Sequence, residues 1–231
     1  MPAKMPGIVV FLGPSLSLDK AVQILEADYR PPAKRGDIYQ AARDGAKIIL
    51  LIDGVFFQEC SVAHKEVIYA LEAGSKVLGA SSMGALRASE LDVYGMEGIG
   101  RIYQAYKSSR LVSDDEVALV FDPFSYEPSS EPLVNIRFNL DLAWQMGAIS
   151  ASCKDRLFHC AQARYFPDRS YERMLSDASG VVAEKELQRF REFLAKDRRD
   201  FKMEDAVLAL ERVRRMAEDD RDPSTACLNS S

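Results

Sequence analysis

The chain has 231 residues and a formal net charge of −5, with 47% hydrophobic, 28% charged and 9% aromatic residues. A chain of this size buries roughly 70% or more of its unfolded surface, so it holds a core without disulfides or a structural metal, and its composition is globular rather than disordered or fibrous. The acidic balance argues against a phosphate-backbone binder, and so against nucleic acid as a partner.

The basic pairs at Arg198-Arg199 and Arg212 to Arg215 are interleaved with acidic residues and read as solvated helix faces. Cys60, Cys153, Cys160 and Cys227 show no CxxC spacing and follow no export signal, which predicts reduced thiols in a cytoplasmic protein. The apolar run near the N-terminus, Ile8 to Leu12, is too short for a signal segment or a membrane span, so no membrane association is expected.

Residues 1–122 alternate strand and helix. Ile8 to Leu12 is a buried strand ending in Gly13-Pro14-Ser15, and Asp19 to Ala27 an amphipathic helix. Lys47 to Ile52 is a second strand stopped by Asp53-Gly54. Ser61 is positioned to cap a helix from Val62 to Ala73, which Gly74 ends. Lys76 to Gly79 is a third strand, followed by a helix over Met83 to Leu91.

Uniformly apolar strands separated by helices predict an α/β fold: a Rossmann-like, mostly parallel sheet with helices on both faces. A Pro-rich linker over 123–133 leads to a smaller helical subdomain over 134–217, where Leu187, Phe190, Phe193 and Leu194, and then Val207, Leu210, Val213 and Met216, recur at helical spacing. A polar tail over 218–231 is expected to be disordered.

Ligands of such sheets sit beyond the carboxyl ends of the strands. Three loops converge there: Gly13-Pro14-Ser15, Asp53-Gly54-Val55 and Gly79 to Gly84. The last resembles the nucleophile elbow G-x-S-x-G centred on Ser82, with Ala80 in the first glycine position, and predicts an exposed serine hydroxyl. The Met83 N–H, at a helix start, would face developing negative charge. Ser81-Ser82 reads equally as a helix cap or an anion nest. His64 begins near the crevice, so Ser82, His64 and Asp53 could form a triad in the order Asp…His…Ser; His64 could equally pack on its own helix.

Arg87, one turn past Ser82, suits a carboxylate or phosphate. Asp114-Asp115-Glu116 is an acidic first helical turn, a carboxylate pair at the site or a cation ligand. No metal ligand set is assigned. Gly13 to Ser17 lacks the glycines of a dinucleotide or phosphate loop, so neither ATP nor NAD, nor any other cofactor, is expected.

Several segments together resemble the TfuA-like family: Phe11-Leu12-Gly13-Pro14-Ser15-Leu16, Pro31-Pro32-Ala33 with Gly36-Asp37, Leu51-Ile52-Asp53-Gly54-Val55-Phe56, His64-Lys65-Glu66, Gly79 to Leu91, Gly95-Met96 with Gly98 and Gly100, and Asp114 to Ala118. The resemblance covers roughly residues 8 to 120 and fades beyond Pro123. It implies a partner of YcaO in thioamidation of a precursor peptide or protein, hydrolysing a thiocarboxylated, ThiS-type ubiquitin-like carrier to release sulfide.

With that substrate, Ser82 would be the nucleophile, His64 its base and Asp53 the orienter. Ser81, Met83, Gly84, Arg87, Gly13, Ser15 and Asp115 would bind the substrate or its charge. A rival has His64 or Asp115 activate water, with Ser82 as a hydrogen-bond donor. Outside catalysis, the alternatives are an adaptor that docks on YcaO and an anion- or phosphate-binding module.

Overall fold

The computed structural model describes residues 7–56 and 60–219. Cys227 and the tail beyond Asp219 lie outside the described residues. Among the described residues, five parallel strands form one sheet in the order β2-β1-β3-β4-β5. They are β1 (Ile8–Phe11), β2 (Asp28–Arg30), β3 (Ile48–Leu51), β4 (Lys76–Ala80) and β5 (Glu97–Ile99). The three apolar runs become β1, β3 and β4, the buried centre of the sheet, paired in register from Ile8 with Ile48 to Leu51 with Gly79.

β2 and β5 are three-residue edge strands without an apolar run, and neither is marked by hydrophobic patterning. The order 2-1-3-4-5 is one of the two common doubly wound arrangements, and it places the topological switch between β1 and β3.

Alternation divides the central strands between two faces. Ile8, Val10, Leu12, Ile48, Leu50, Ile52, Leu78 and Ala80 point to one side, where they share a core with Ala21 of α1 (Leu18–Ile24) and with Ala206, Ala209, Leu210, Val213 and Met216 of α10 (Phe201–Asp219). Against the other side pack α2 (Asp37–Arg43), α3 (His64–Glu72) and α4 (Met83–Leu91). α4 also carries α5 (Gly100–Lys107). The Val207-to-Met216 periodicity is therefore real, but its partner is the sheet, more than a hundred residues earlier in the chain. α10 runs to Asp219, so Glu218 and Asp219 are helical; three buried turns before them make continuation of the helix favourable.

α3 starts later than its sequence suggests. Ala63, not Ser61, stands at its N-cap, because Glu66 reaches back to accept the Ala63 N–H at 2.7 Å and so occupies the position of a cap. Gly74 ends that helix with φ at +89°, the left-handed conformation glycine adopts without steric cost.

By internal contacts the chain divides into two units, one reaching Leu111 and resuming at Lys202, the other Val112–Phe201. The second unit is helical, with α6 (Leu133–Gln145), α7 (Ala151–Ala163), α8 (Tyr171–Asp177) and α9 (Glu184–Asp197). Its core gathers Leu133, Ile136, Leu140, Leu157, Met174, Leu187, Phe190 and Phe193. Arg169 is buried in this unit and donates to the carbonyls of Ala161 and Arg164 and to the Asp115 carboxylate at 2.8 Å. Among the described residues no helix is long and apolar enough to cross a membrane.

One contact joins the distant ends of the sheet unit. Asp205 on α10 is buried, and its carboxylate accepts the N–H of Arg101 at 2.9 Å and of Ile102 at 2.8 Å, capping α5 from a residue over a hundred positions away. Gly100 has φ at +94°, and a Cβ there would lie 2.3 Å from the Asp205 carboxyl carbon. Desolvation outweighs the two backbone hydrogen bonds and pushes the Asp205 pKa up to about 6.

A folded pKa above the unfolded value of 3.8 means the protonated form is favoured by folding, so this stabilisation is complete below about pH 4 and is lost as pH rises through 6. Asp205→Asn should abolish that slope. The stability difference between variant and wild type, measured by urea unfolding, should shift by about 2 kcal/mol between pH 4 and pH 7, on top of a pH-independent cost for the lost second acceptor.

Candidate functional site

At the carboxyl ends of β1, β3 and β4 one carboxylate organises three loops. Asp53, 2% exposed, follows β3. Its Oδ2 accepts the N–H of Gly13 at 2.9 Å and of Ser15 at 3.1 Å, and its Oδ1 accepts the Ser15 hydroxyl at 2.6 Å. The Ser81 hydroxyl then donates to Ser15 Oγ at 3.0 Å. A continuous chain of hydroxyls thus runs Ser81–Ser15–Asp53 across the switch point. The segment after β2 crosses the same end of the sheet: Ala33 N–H donates to the Asp53 carbonyl and Val55 N–H to the Ala33 carbonyl. A Cβ on Gly13 would meet Pro32 Cγ at 2.4 Å, so the close seat of this strap depends on glycine.

The turn from β4 into α4 is tight. Ser82 N–H donates to the Ala80 carbonyl at 2.8 Å while Ser81 has φ at +65°. This is a γ-turn with positive φ, a rare and strained form worth about 1–3 kcal/mol of stored cost. Two glycines hold it against the sheet. A Cβ on Gly84 would lie 1.8 Å from the Leu51 carbonyl oxygen, one on Gly79 would lie 2.2 Å from the Gly84 oxygen, and Gly84 N–H donates to the Ile52 carbonyl at 3.2 Å.

That close approach overturns the expectation of an exposed hydroxyl, since Ser81 and Ser82 are both buried. Ser82 stands at the N-cap of α4, yet among the described residues its side chain makes no capping hydrogen bond. The Gly84 N–H reaches Ile52, and those of Ala85 and Leu86 reach the Ser82 carbonyl.

The other sequence candidates lie in other settings. His64 opens α3, but its Nε2 is 2.8 Å from Glu90 Oε2 on α4 and its side chain is half exposed. Arg87 donates through Nε to the Val62 carbonyl at 2.9 Å and through Nη1 to the same Glu90 carboxylate at 2.7 Å. Among the described residues, Asp53 is thus bonded to the β1 loop and His64 to Glu90, and the triad Ser82–His64–Asp53 is not joined by hydrogen bonds.

Glu90 lies in the Gly79-to-Leu91 motif without a role in the site, although its spacing of three from Arg87 on one helix is a pairing signal. Asp115 belongs to the helical unit, in a short 3-10 helix (Asp114–Glu116) capped by Ser113, where it pairs with Arg169. Among the described residues no cluster of three or more His, Cys, Asp or Glu side chains has metal-binding geometry.

The chain matches the family described as TfuA-like protein over residues 53–170, just over half its length. It belongs to the TfuA-like family. No curated protein matches it. Membership associates this TfuA-like chain with YcaO thioamidation. The matched span opens on Asp53 itself, takes in the Ser81-Ser82 turn and α4, and continues into the helical unit, further than the motif resemblance that fades near Pro123. Gly13 and Ser15, which bind Asp53, precede it.

The glycine contact makes a direct prediction for this TfuA-like fold. Gly84→Ala must push α4 off Leu51, and overpacking of this kind costs about 1–3 kcal/mol or more. Urea unfolding should show a loss near or above the upper figure, and a variant as stable as wild type would mean that α4 is free to shift.

Proposed function

We propose that this chain hydrolyses the thiocarboxylated C-terminus of a ThiS-type ubiquitin-like carrier and that the released sulfide serves YcaO-dependent thioamidation of a precursor peptide. The observation that carries this reading is the hydroxyl chain from a strained strand-to-helix turn to a buried carboxylate, at the end of the sheet where doubly wound folds bind ligands. The reaction is acyl transfer: a thiocarboxylate and water give a carboxylate, hydrosulfide and a proton. Such chemistry needs a positioned nucleophile, an acceptor for its proton and a donor for the oxyanion. The turn supplies the hydroxyl, and the Met83 N–H at the start of α4 is the donor assigned to the oxyanion. His64, bound to Glu90, is assigned no part as base to this hydroxyl.

The burial of both serines favours a second reading, a non-catalytic adaptor that docks on YcaO. One assay separates the two. The purified protein, incubated alone with thiocarboxylated carrier, should release sulfide at a rate proportional to its own concentration. Sulfide appearing only when YcaO is added would establish the adaptor.

A further inference from the structure

We infer that Ser81, not Ser82, supplies the reacting hydroxyl and that Ser15 and Asp53 form the path its proton takes; this rests on the hydrolase reading above. The two serines are adjacent, and the glycines of the elbow pattern are divided between them: Gly79 stands two before Ser81, with Met83 two after it, whereas Gly84 stands two after Ser82. Centred on Ser81, the residue two before is Gly79, whose missing Cβ the Gly84 oxygen requires. Centred on Ser82, it is Ala80. The backbone decides between them. A nucleophile elbow is a sharp, strained turn, and Ser81, with φ at +65°, is the residue that bears the strain.

The side chains agree. Ser81 Oγ is the donor to Ser15 Oγ, and Ser15 Oγ the donor to Asp53 Oδ1, so both protons point toward the carboxylate. Asp53 is held in turn by the N–H groups of Gly13 and Ser15, which fix its free electron pairs on this path.

In the step that follows, Ser81 Oγ forms a bond to the thiocarboxylate carbon while its proton passes to Ser15 Oγ and the Ser15 proton passes to Asp53. The C–S bond breaks, and the leaving sulfur takes that proton back as hydrosulfide, leaving an ester on Ser81. Water attacks the ester carbon, the bond to Ser81 Oγ breaks with return of a proton to it, and the carrier departs as a carboxylate with one proton released. Ser81, which attacks the substrate, and Ser15, which takes the proton from the reacting oxygen, are then the catalytic residues; Asp53 acts through Ser15 as the final acceptor.

The test uses the full-length protein. Wild type is treated with a fluorophosphonate and digested with trypsin, and the adduct is located by tandem mass spectrometry within Val77–Arg87, the peptide that holds both serines. An adduct on Ser81 is expected; an adduct on Ser82, or none, overturns the assignment and shows that the buried hydroxyl is closed to electrophiles.

In the sulfide assay, Ser81→Gly relaxes the turn while removing the hydroxyl, and should lower the rate about a hundredfold or more, with Ser82→Ala within about threefold of wild type. A Ser81→Gly rate within about threefold of wild type overturns the proposal even where the protein hydrolyses thiocarboxylate. Ser15→Ala should lower kcat about tenfold or more with KM unchanged, and Ser15→Thr should restore it. Equal losses in both variants would remove the hydroxyl path. Labelling of Ser81 without sulfide release by wild type would instead reject the thiocarboxylate as substrate and leave the nucleophile standing.

Discussion

The structure at the ends of the strands depends on one buried carboxylate. Asp53 sits where β1 and β3 part in opposite directions, and a carboxyl group withdrawn from water there is costly unless donors surround it. Two backbone N–H groups and one hydroxyl do so, and all of them come from the loop after β1. Binding Asp53 is therefore the same event as fixing the conformation of Gly13 to Ser15. Phe11 extends the lock backwards, because its carbonyl accepts the N–H groups of both Ile52 and Asp53 at 3.1 Å. An alanine at position 53 would leave two N–H donors and a hydroxyl unpaired in the interior, each at about 1–3 kcal/mol.

The strained turn is the other half of the arrangement. A residue with positive φ and a Cβ persists only where its surroundings determine it fully. The Gly79–Gly84 contact pulls α4 onto β3 and β4, and the Ser81–Ser15 hydrogen bond fixes the side chain at the bend. The two halves meet at Ser15, which donates to one and accepts from the other. Rigid strands carry both, so the hydroxyl chain is preorganised rather than assembled when a ligand arrives.

Much of this fold is legible in the sequence, for physical reasons that also explain what is not. A central parallel strand is buried on both faces and must be apolar throughout, so β1, β3 and β4 stand out. An edge strand of three residues such as Asp28–Arg30 or Glu97–Ile99 has no such requirement and leaves no pattern. The Val207-to-Met216 stripe announces a buried helix face but not its partner, since periodicity says which side is covered and never by what.

At the site, Gly13, Ser15, Asp53, Ser81 and Gly84 are all visible as residue types suited to the end of a strand. Their connectivity is not, because it depends on distances of a few tenths of an ångström between loops 38 and 66 residues apart. The pairing of His64 with Glu90 shows the same limit. Proximity along the chain placed His64 near Asp53, and a hydrogen bond to Glu90 on the neighbouring helix captured it instead.

The order of the chain adds a constraint on folding. α10 covers the sheet face formed by Ile8, Val10, Ile48 and Leu50, and Asp205 near its start caps α5. Both contacts wait until the whole helical unit between Leu111 and Lys202 has been made. Before then one face of the central strands is bare, and the first N–H groups of α5 lack their acceptor. Contacts of such sequence separation carry a large loop-closure cost before any reward. The helical unit, whose core closes on its own residues from Leu133 to Phe193, reduces that cost by bringing its two ends to a fixed spacing once folded. The sheet unit is therefore completed only by α10, a helix whose own stripe gives no hint of the role, whereas the Asp53 lock is built from the loop after β1 and needs no residue of that helix.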